Sequence, residues 1–296
     1  MGKPSSRRGQ SRNEQNTRAL NELFHQARVY KRSEDYRELL DFVKNFPNIA
    51  PYNAMLVHIQ RPGSRYVANA RVWMEEYGRK IRPGARPLII LHTFGPVDFV
   101  YDISDTVGPD LPDAVLNPFR VDDAIAPELL RRLCHNINRD GILLQKIDFG
   151  SRLAGRIARL REAEKVRLPD GILTYYYHVD INACHNPTEQ FCTLTHELGH
   201  LYLGHLGRPF EKWWPDRQGL DERVVEFEAE SVSWLLCERL GLPNRSAEYL
   251  SGYLGSHEEV PNIDLDGIFR VVNQIESMTQ RILPRRKENF EPWAKR

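Results

Sequence analysis

Two histidines four residues apart, His196 and His200, bracket Glu197 in the segment THELGH (195–200). On a helix of 3.6 residues per turn the two imidazoles stand one above the other, where both can grip one metal ion. Glu197 is rotated off that line, so it misses the metal yet reaches a water beside it, the place a general base needs. The flanking residues call for a helix. Asn186 is a good capping type, Pro187 suits the first helical position, and Glu189 puts negative charge in the first turn. Leu194, Leu198 and Leu201 form a separate apolar stripe that can anchor this helix in a core.

A catalytic zinc needs a third protein ligand and one open position. His205 is the nearer candidate. The long zinc motif of the astacin and matrixin type has Gly eighth and His eleventh from its first histidine; here Gly204 and His205 are ninth and tenth. That register fails, so His205 is read as a helix-end or surface histidine. The other candidates lie in DERVVEFEAESVSWLLCERLG (221–241), a helix stopping at Gly241 with Val225, Ala229, Val232 and Leu236 along one stripe. Glu226 and Glu230 share a face one turn apart, while Glu228 points elsewhere. Against a solvated acidic face stands the apolar company of Glu230: Ala229, Val232 and Trp234. Glu226 is favoured over Glu228 as the ligand, with Glu230 bracing the site from outside the coordination sphere.

The elements around these residues are mixed. Tyr36, Leu39, Leu40 and Val43 carry helical spacing, as do Leu20, Leu23, Phe24 and Ala27. Residues 50–60 and 69–77 read as short helices separated by Arg61-Pro62-Gly63-Ser64, and 88–94 and 97–103 as two strands joined at Gly95-Pro96. The stretch 106–119 is rich in Pro, Gly and Asp and reads as a linker. A helix then runs from Pro127 to Gly141, followed by strands over 151–160 and 172–182. The second of these, with Tyr175, Tyr176, Tyr177 and His178, is expected as an edge strand able to take substrate as an added strand. One of Tyr177, His178 or Tyr202 is expected to stabilise an oxyanion, against the plain alternative of aromatic packing on a sheet.

Composition sets the outer bounds. The 296 residues are 41% hydrophobic and 27% charged, with a net charge of +1. These are values of a globular protein, and no apolar run nears the ~18 residues a membrane helix requires. No global basic field draws the chain to nucleic acid. Residues 1–32, however, hold eight Lys and Arg against two Glu, a pattern that reads as a solvated, disordered tail. The first 16 residues lack the apolar segment of a secretory signal, and four scattered cysteines make no disulfide framework. A cytoplasmic location with free, buried thiols is the expectation.

HELGHLYLGHLG, followed 26 positions after His200 by Glu226-x-x-Ala229 and then Leu235-Leu236, resembles the ImmA/IrrE-type zinc metallopeptidases. That family pairs His-Glu-x-x-His with a glutamate three residues before a small residue on a second helix. The resemblance implies one Zn²⁺ per chain on His196, His200 and Glu226, with Glu197 as general base. It also implies hydrolysis of a peptide bond in a protein partner, relatives of this kind often acting on transcriptional repressors or regulators. Glu230 stands where many members have Asn, and the usual Pro after the Leu-Leu pair is missing.

Upstream, residues 51–91 and VYDISDT (100–106) are similar to the N-terminal domain of ArdC-type antirestriction proteins, through Tyr52-Asn53, Gln60-x-Pro62, Trp73 and Arg82-Pro83-Gly84. This implies a single-stranded-DNA-binding module ahead of a zincin domain. The expected fold class is α+β: a basic tail (1–18), a smaller α+β N-terminal domain (19–118) and a zincin-like metallopeptidase domain (119–296). The leading functional expectation is a zinc metalloendopeptidase. The alternative is a DNA-binding antirestriction-type protein whose zinc site is structural or vestigial, and a third is a module that senses a partner without cutting it.

Overall fold

The protein is described here from a computed structural model, over residues 30–92, 95–112, 115, 126–150, 153–242 and 246–293. The basic tail and the helix read at Leu20–Ala27 lie outside those residues. The fold is mixed α+β, and its packing divides into two compact units. One comprises residues 1–119 with 257–260, the other 120–256 with 261–296.

In the first unit, α1 (Ser33–Lys44) buries Tyr36, Leu39, Leu40 and Val43, the four residues whose spacing calls for it. Helix α2 (Pro51–Gln60) starts on a proline that needs no amide partner. A short strand β1 (Val67–Ala68) and helix α3 (Ala70–Glu75) follow, the helix capped by Asn69, whose side chain accepts from Val72 N–H at 2.9 Å. Strands β3 (Leu88–His92) and β4 (Gly95–Asp102) pair antiparallel, and β1 adds to the far side of β4, giving the order β1-β4-β3. Helix α2 supplies what the outer edge of β3 lacks. The Asn53 side-chain amide bonds both N–H and C=O of Leu91 (3.0 and 3.1 Å), and Gln60 does the same for Ile89 (2.9 and 2.8 Å).

The stretch expected as a linker begins in order. Thr106–Val107 forms β5 against β2 (Lys80–Ile81), and the arginines on either side of β2 grip its backbone and hydroxyl. Arg79 Nε donates to Thr106 Oγ1 at 2.7 Å and Arg82 Nε to Thr106 O at 3.2 Å. Trp73 is fully buried with Ala68 and Leu111, its indole N–H donating to Tyr101 O at 2.9 Å. Of the residues that carry the antirestriction resemblance in this unit, Asn53, Gln60 and Trp73 thus serve its internal hydrogen bonding.

The second unit is built on a four-stranded sheet. Strand β8 (Gly171–Asn182) runs through its middle, parallel to β6 (Ile142–Ile147) and antiparallel to β7 (Gly155–Leu168) and β9 (Phe290–Pro292). The expectation of an edge strand at 172–182 is therefore corrected: β6, Ile-Leu-Leu directly after the Gly141 turn, lies on one side of it and β7 on the other, so among the described residues β6 and β7 take the edges. Along β8 the odd-numbered Leu173, Tyr175, Tyr177, Val179 and Ile181 are all buried, as one apolar face demands. Among the described residues, five helices complete the unit: α4 (Ala126–Arg139), α5 (Pro187–Tyr202), α6 (Glu222–Arg239), α7 (Ser246–Ser256) and α8 (Leu265–Gln280). Helix α8 buries Ile268, Phe269, Val272, Ile275 and Met278 at helical spacing and packs against α4 and α6. The cysteines are free, but of the four expected to be buried only Cys237 is; Cys134 and Cys192 are part-buried and Cys184 is exposed. Among the described residues no helix is long and apolar enough to cross a membrane.

Candidate metal centre

Helix α5 begins where its sequence says it should. Asn186 accepts from Glu189 N–H at 2.9 Å, and the Glu189 carboxylate accepts from Asn186 N–H at 3.1 Å, a reciprocal cap that fixes the helix start. Ten residues on, α5 meets α6 at a point of close approach. A Cβ on Gly199 would lie 3.2 Å from Ala229 Cα, so the glycine of HELGH and the small residue after Glu226 let the two backbones come together. That approach sets Glu226 of α6 opposite the two histidines of α5.

The Nε2 atoms of His196 and His200 lie 3.0 Å apart. Glu226 Oε2 is 3.6 Å from the first and its Oε1 3.6 Å from the second. One ligand atom from each residue falls within 4.8 Å of the others, the one such group among the described residues that could hold a metal ion. Two imidazoles and a carboxylate are a donor set suited to a divalent transition metal. The Glu226 side chain is 42% exposed against 11% for His200, so the site opens to solvent on the carboxylate side. Glu230, one turn along α6, sits 3.7 Å from His196 Nδ1, the nitrogen turned away from the cluster.

Beyond His200 the arrangement departs from the sequence reading. His205 is no surface residue: its side chain is 2% exposed and lies between His200 and Glu228. The two histidines face each other through Nδ1 atoms 3.2 Å apart, and His205 Nε2 is 2.8 Å from Glu228 Oε2. The end of α5 accounts for this. Gly204 adopts a left-handed φ of +85°, its N–H donates to Leu201 O (3.0 Å), and His205 N–H donates back to His200 O (3.0 Å). This glycine-terminated reversal folds His205 beneath the last turn. Glu228, fully buried, also accepts both guanidinium nitrogens of Arg217 (2.7 and 2.8 Å) and the N–H of Asp264 (2.6 Å).

Electrostatics follow from burial and these partners. Burial pushes the His200 pKa down to about 3, aided by the neighbouring His196 and His205, and so favours the neutral ring a metal requires. Burial opposes protonation of His196 too, but Glu230, with Glu197 and Glu226, outweighs it and the net shift is upward. Burial also raises Glu226. For Glu228 burial acts to raise the pKa, and the hydrogen bonds from His205, Arg217 and Asp264 overcome it, leaving the carboxyl at about 2. Glu197 is buried and stays outside the ligand group. Burial, only partly offset by His196, lifts it to about 7.

The three oxyanion candidates are not brought to this cluster. Tyr202 is fully enclosed and donates to Asp140 Oδ2 at 2.7 Å, a carboxylate that also takes Arg286 Nε at 2.5 Å. Tyr177 donates to Gly207 O at 3.0 Å and packs on Trp214. Both hydroxyls are committed inside the core, in the aromatic packing that the sequence offered as the plain alternative. His178, next along β8 and on its other face, lies 3.8 Å from Asp180 rather than at the triad. Sequence reasoning missed the roles of His205 and Glu228; the signal was Gly204, a helix-stop residue that turns the next side chain back under the helix.

No family model and no curated protein matches the sequence, so the resemblance to ImmA/IrrE-type peptidases rests on the motif residues themselves. Among solved structures, the chain is similar to one described as the crystal structure of antirestriction ArdC protein from R388 plasmid, Mn(II)-bound, at 17% identity over 78% of this chain and 83% of that one, with a TM-score of 0.33.

Proposed function

We propose that the second unit is a zincin-like metallopeptidase that hydrolyses a peptide bond in a protein partner, a transcriptional repressor or regulator being the favoured class. The reading rests on one observation: Glu197 is buried beside the three converging ligand groups and belongs to none of them. A site that only braces the fold has no use for such a carboxylate. His196, His200 and Glu226 would hold Zn²⁺, which supplies Lewis acidity and lowers the pKa of a water towards ~7. Glu197 would take the proton from the attacking water and pass it to the leaving amine. Among the described residues, 155–159 of β7 pair with β8 alone, which leaves their outer side for an extended peptide. Free thiols fit a reducing, cytoplasmic setting.

A second reading is an antirestriction-type protein that binds single-stranded DNA through the first unit and keeps a structural metal. It is favoured by the charge of residues 1–119, with 17 Lys and Arg against 13 Asp and Glu. One experiment separates the two. Zinc-loaded wild type, Glu197→Gln and chelator-treated protein are incubated with a proteome-derived peptide library, and new termini are counted by mass spectrometry. Cleavage present in wild type and reduced ~10²–10⁴-fold in Glu197→Gln at equal zinc content supports the peptidase. Equal cleavage by both proteins refutes Glu197 as base. No cleavage by either, with single-stranded-DNA binding that weakens as salt is added, supports the second reading.

A further inference from the structure

The chain Glu228–His205–His200 has a direction. Glu228 is ionised, held by both guanidinium nitrogens of Arg217 and by the Asp264 N–H, so at neutral pH it can only accept. His205 Nε2, 2.8 Å away, must then carry the hydrogen. A neutral imidazole with its hydrogen on Nε2 has a lone pair on Nδ1. That lone pair faces His200 Nδ1 at 3.2 Å, so the second ring must donate, with its hydrogen on Nδ1. What remains on His200 is the Nε2 lone pair, the atom turned toward His196 and Glu226.

We infer that Glu228 and His205 are positioning residues, a buried relay that holds His200 in the Nδ1–H tautomer and aims its Nε2 lone pair into the metal site. The inference rests on the metal reading above and extends it to residues that touch no metal. Each histidine ligand then has its own outer partner. His196 turns Nδ1 to Glu230 directly, whereas His200 reaches a carboxylate through a second imidazole. The sequence feature that makes the longer route possible is the five-residue spacing from His200 to His205, closed by the turn at Gly204. Outer partners of this kind fix ring orientation and ligand basicity, and their loss typically costs 10–100-fold in metal affinity.

The test compares wild type with His205→Leu and His205→Gln. Leucine removes both hydrogen bonds. Glutamine restores them, since its amide oxygen can accept from His200 and its amide nitrogen donate to Glu228. Zinc affinity is measured by competition with a chromophoric chelator, and His205→Leu should bind about 10–100-fold more weakly, with His205→Gln recovering most of the loss. A merely space-filling role for His205 predicts no such rescue. Long-range ¹H–¹⁵N spectra of histidine-labelled wild type give a second readout that needs no variant to fold. The relay requires Nδ1–H at His200 and Nε2–H at His205, with or without zinc. The opposite tautomers, or equal zinc affinity in wild type and His205→Leu, would overturn it. A wild-type protein that takes up no zinc refutes the metal reading instead, and the tautomers of the same metal-free sample still decide the relay.

Discussion

Replacing Glu228 with glutamine keeps the side-chain volume and removes one negative charge from a fully buried position. In the folded protein that carboxyl is held at about 2, against an ordinary 4.5. Each unit of difference between folded and unfolded states is worth 1.36 kcal/mol, so ionised Glu228 contributes about 3 kcal/mol to the stability of the second unit. The sign follows from a depressed pKa: the contribution is complete above about pH 4.5 and is lost as pH falls towards 2. Urea unfolding of chelator-treated wild type and Glu228→Gln, followed through the tryptophans Trp213 and Trp214, measures the difference directly. The gap between the two proteins should be about 3 kcal/mol at pH 7, hold steady down to about pH 5, and close towards zero near pH 2. Titrations common to both proteins cancel in the subtraction. A gap that is the same at pH 3 and pH 7 would refute the argument, since a packing defect has no reason to vanish with protonation. So would a gap below about 1 kcal/mol at neutral pH, the range of an exposed pair.

Glu226→Ala should lose most of the bound zinc, read by metal analysis after dialysis, while Glu230→Ala should weaken affinity only about 10–100-fold. Gly199→Ala places a methyl 3.2 Å from Ala229 Cα and should force α5 and α6 apart, destabilising the second unit by about 1–3 kcal/mol and lowering zinc affinity in the same protein. Tyr202→Phe should leave peptide cleavage unchanged and cost about 1–3 kcal/mol of stability in thermal unfolding, because Asp140 loses a buried donor; a selective loss of turnover would instead restore Tyr202 to the reaction.

Much of the centre was legible because helical periodicity is local. The cap at Asn186, the start at Pro187 and the shared face of His196 and His200 all follow from residues within five turns of one another, and the helices at Tyr36–Val43 and Glu222–Arg239 are equally self-contained. Sheet order was not legible, because which strand lies beside Tyr177 depends on a partner, Ile142, 35 residues away. Tyr177 of β8 and Tyr202 of α5 looked like reactive groups for the same reason: their type is visible in the sequence, and their partners Gly207 and Asp140 are not. His205 failed differently. It stands one place short of the register of a direct ligand, and the contact through which it can serve a metal, with His200, is made only by the turn at Gly204.

The two side-chain amides on the outer edge of β3 have a consequence for how the first unit meets other chains. An unpaired strand edge is a template for any passing strand, and proteins usually blunt it with charge, proline or a bulge. Here Asn53 and Gln60, two helical turns apart, act as counterfeit rungs on Ile89 and Leu91, each filling a donor and an acceptor that a neighbouring chain would otherwise seek. Because the rungs fit alternate residues only, they also work as a ruler. A slip of β3 by one position would point those amides at groups already spent on β4, so α2 helps to hold the register of β3.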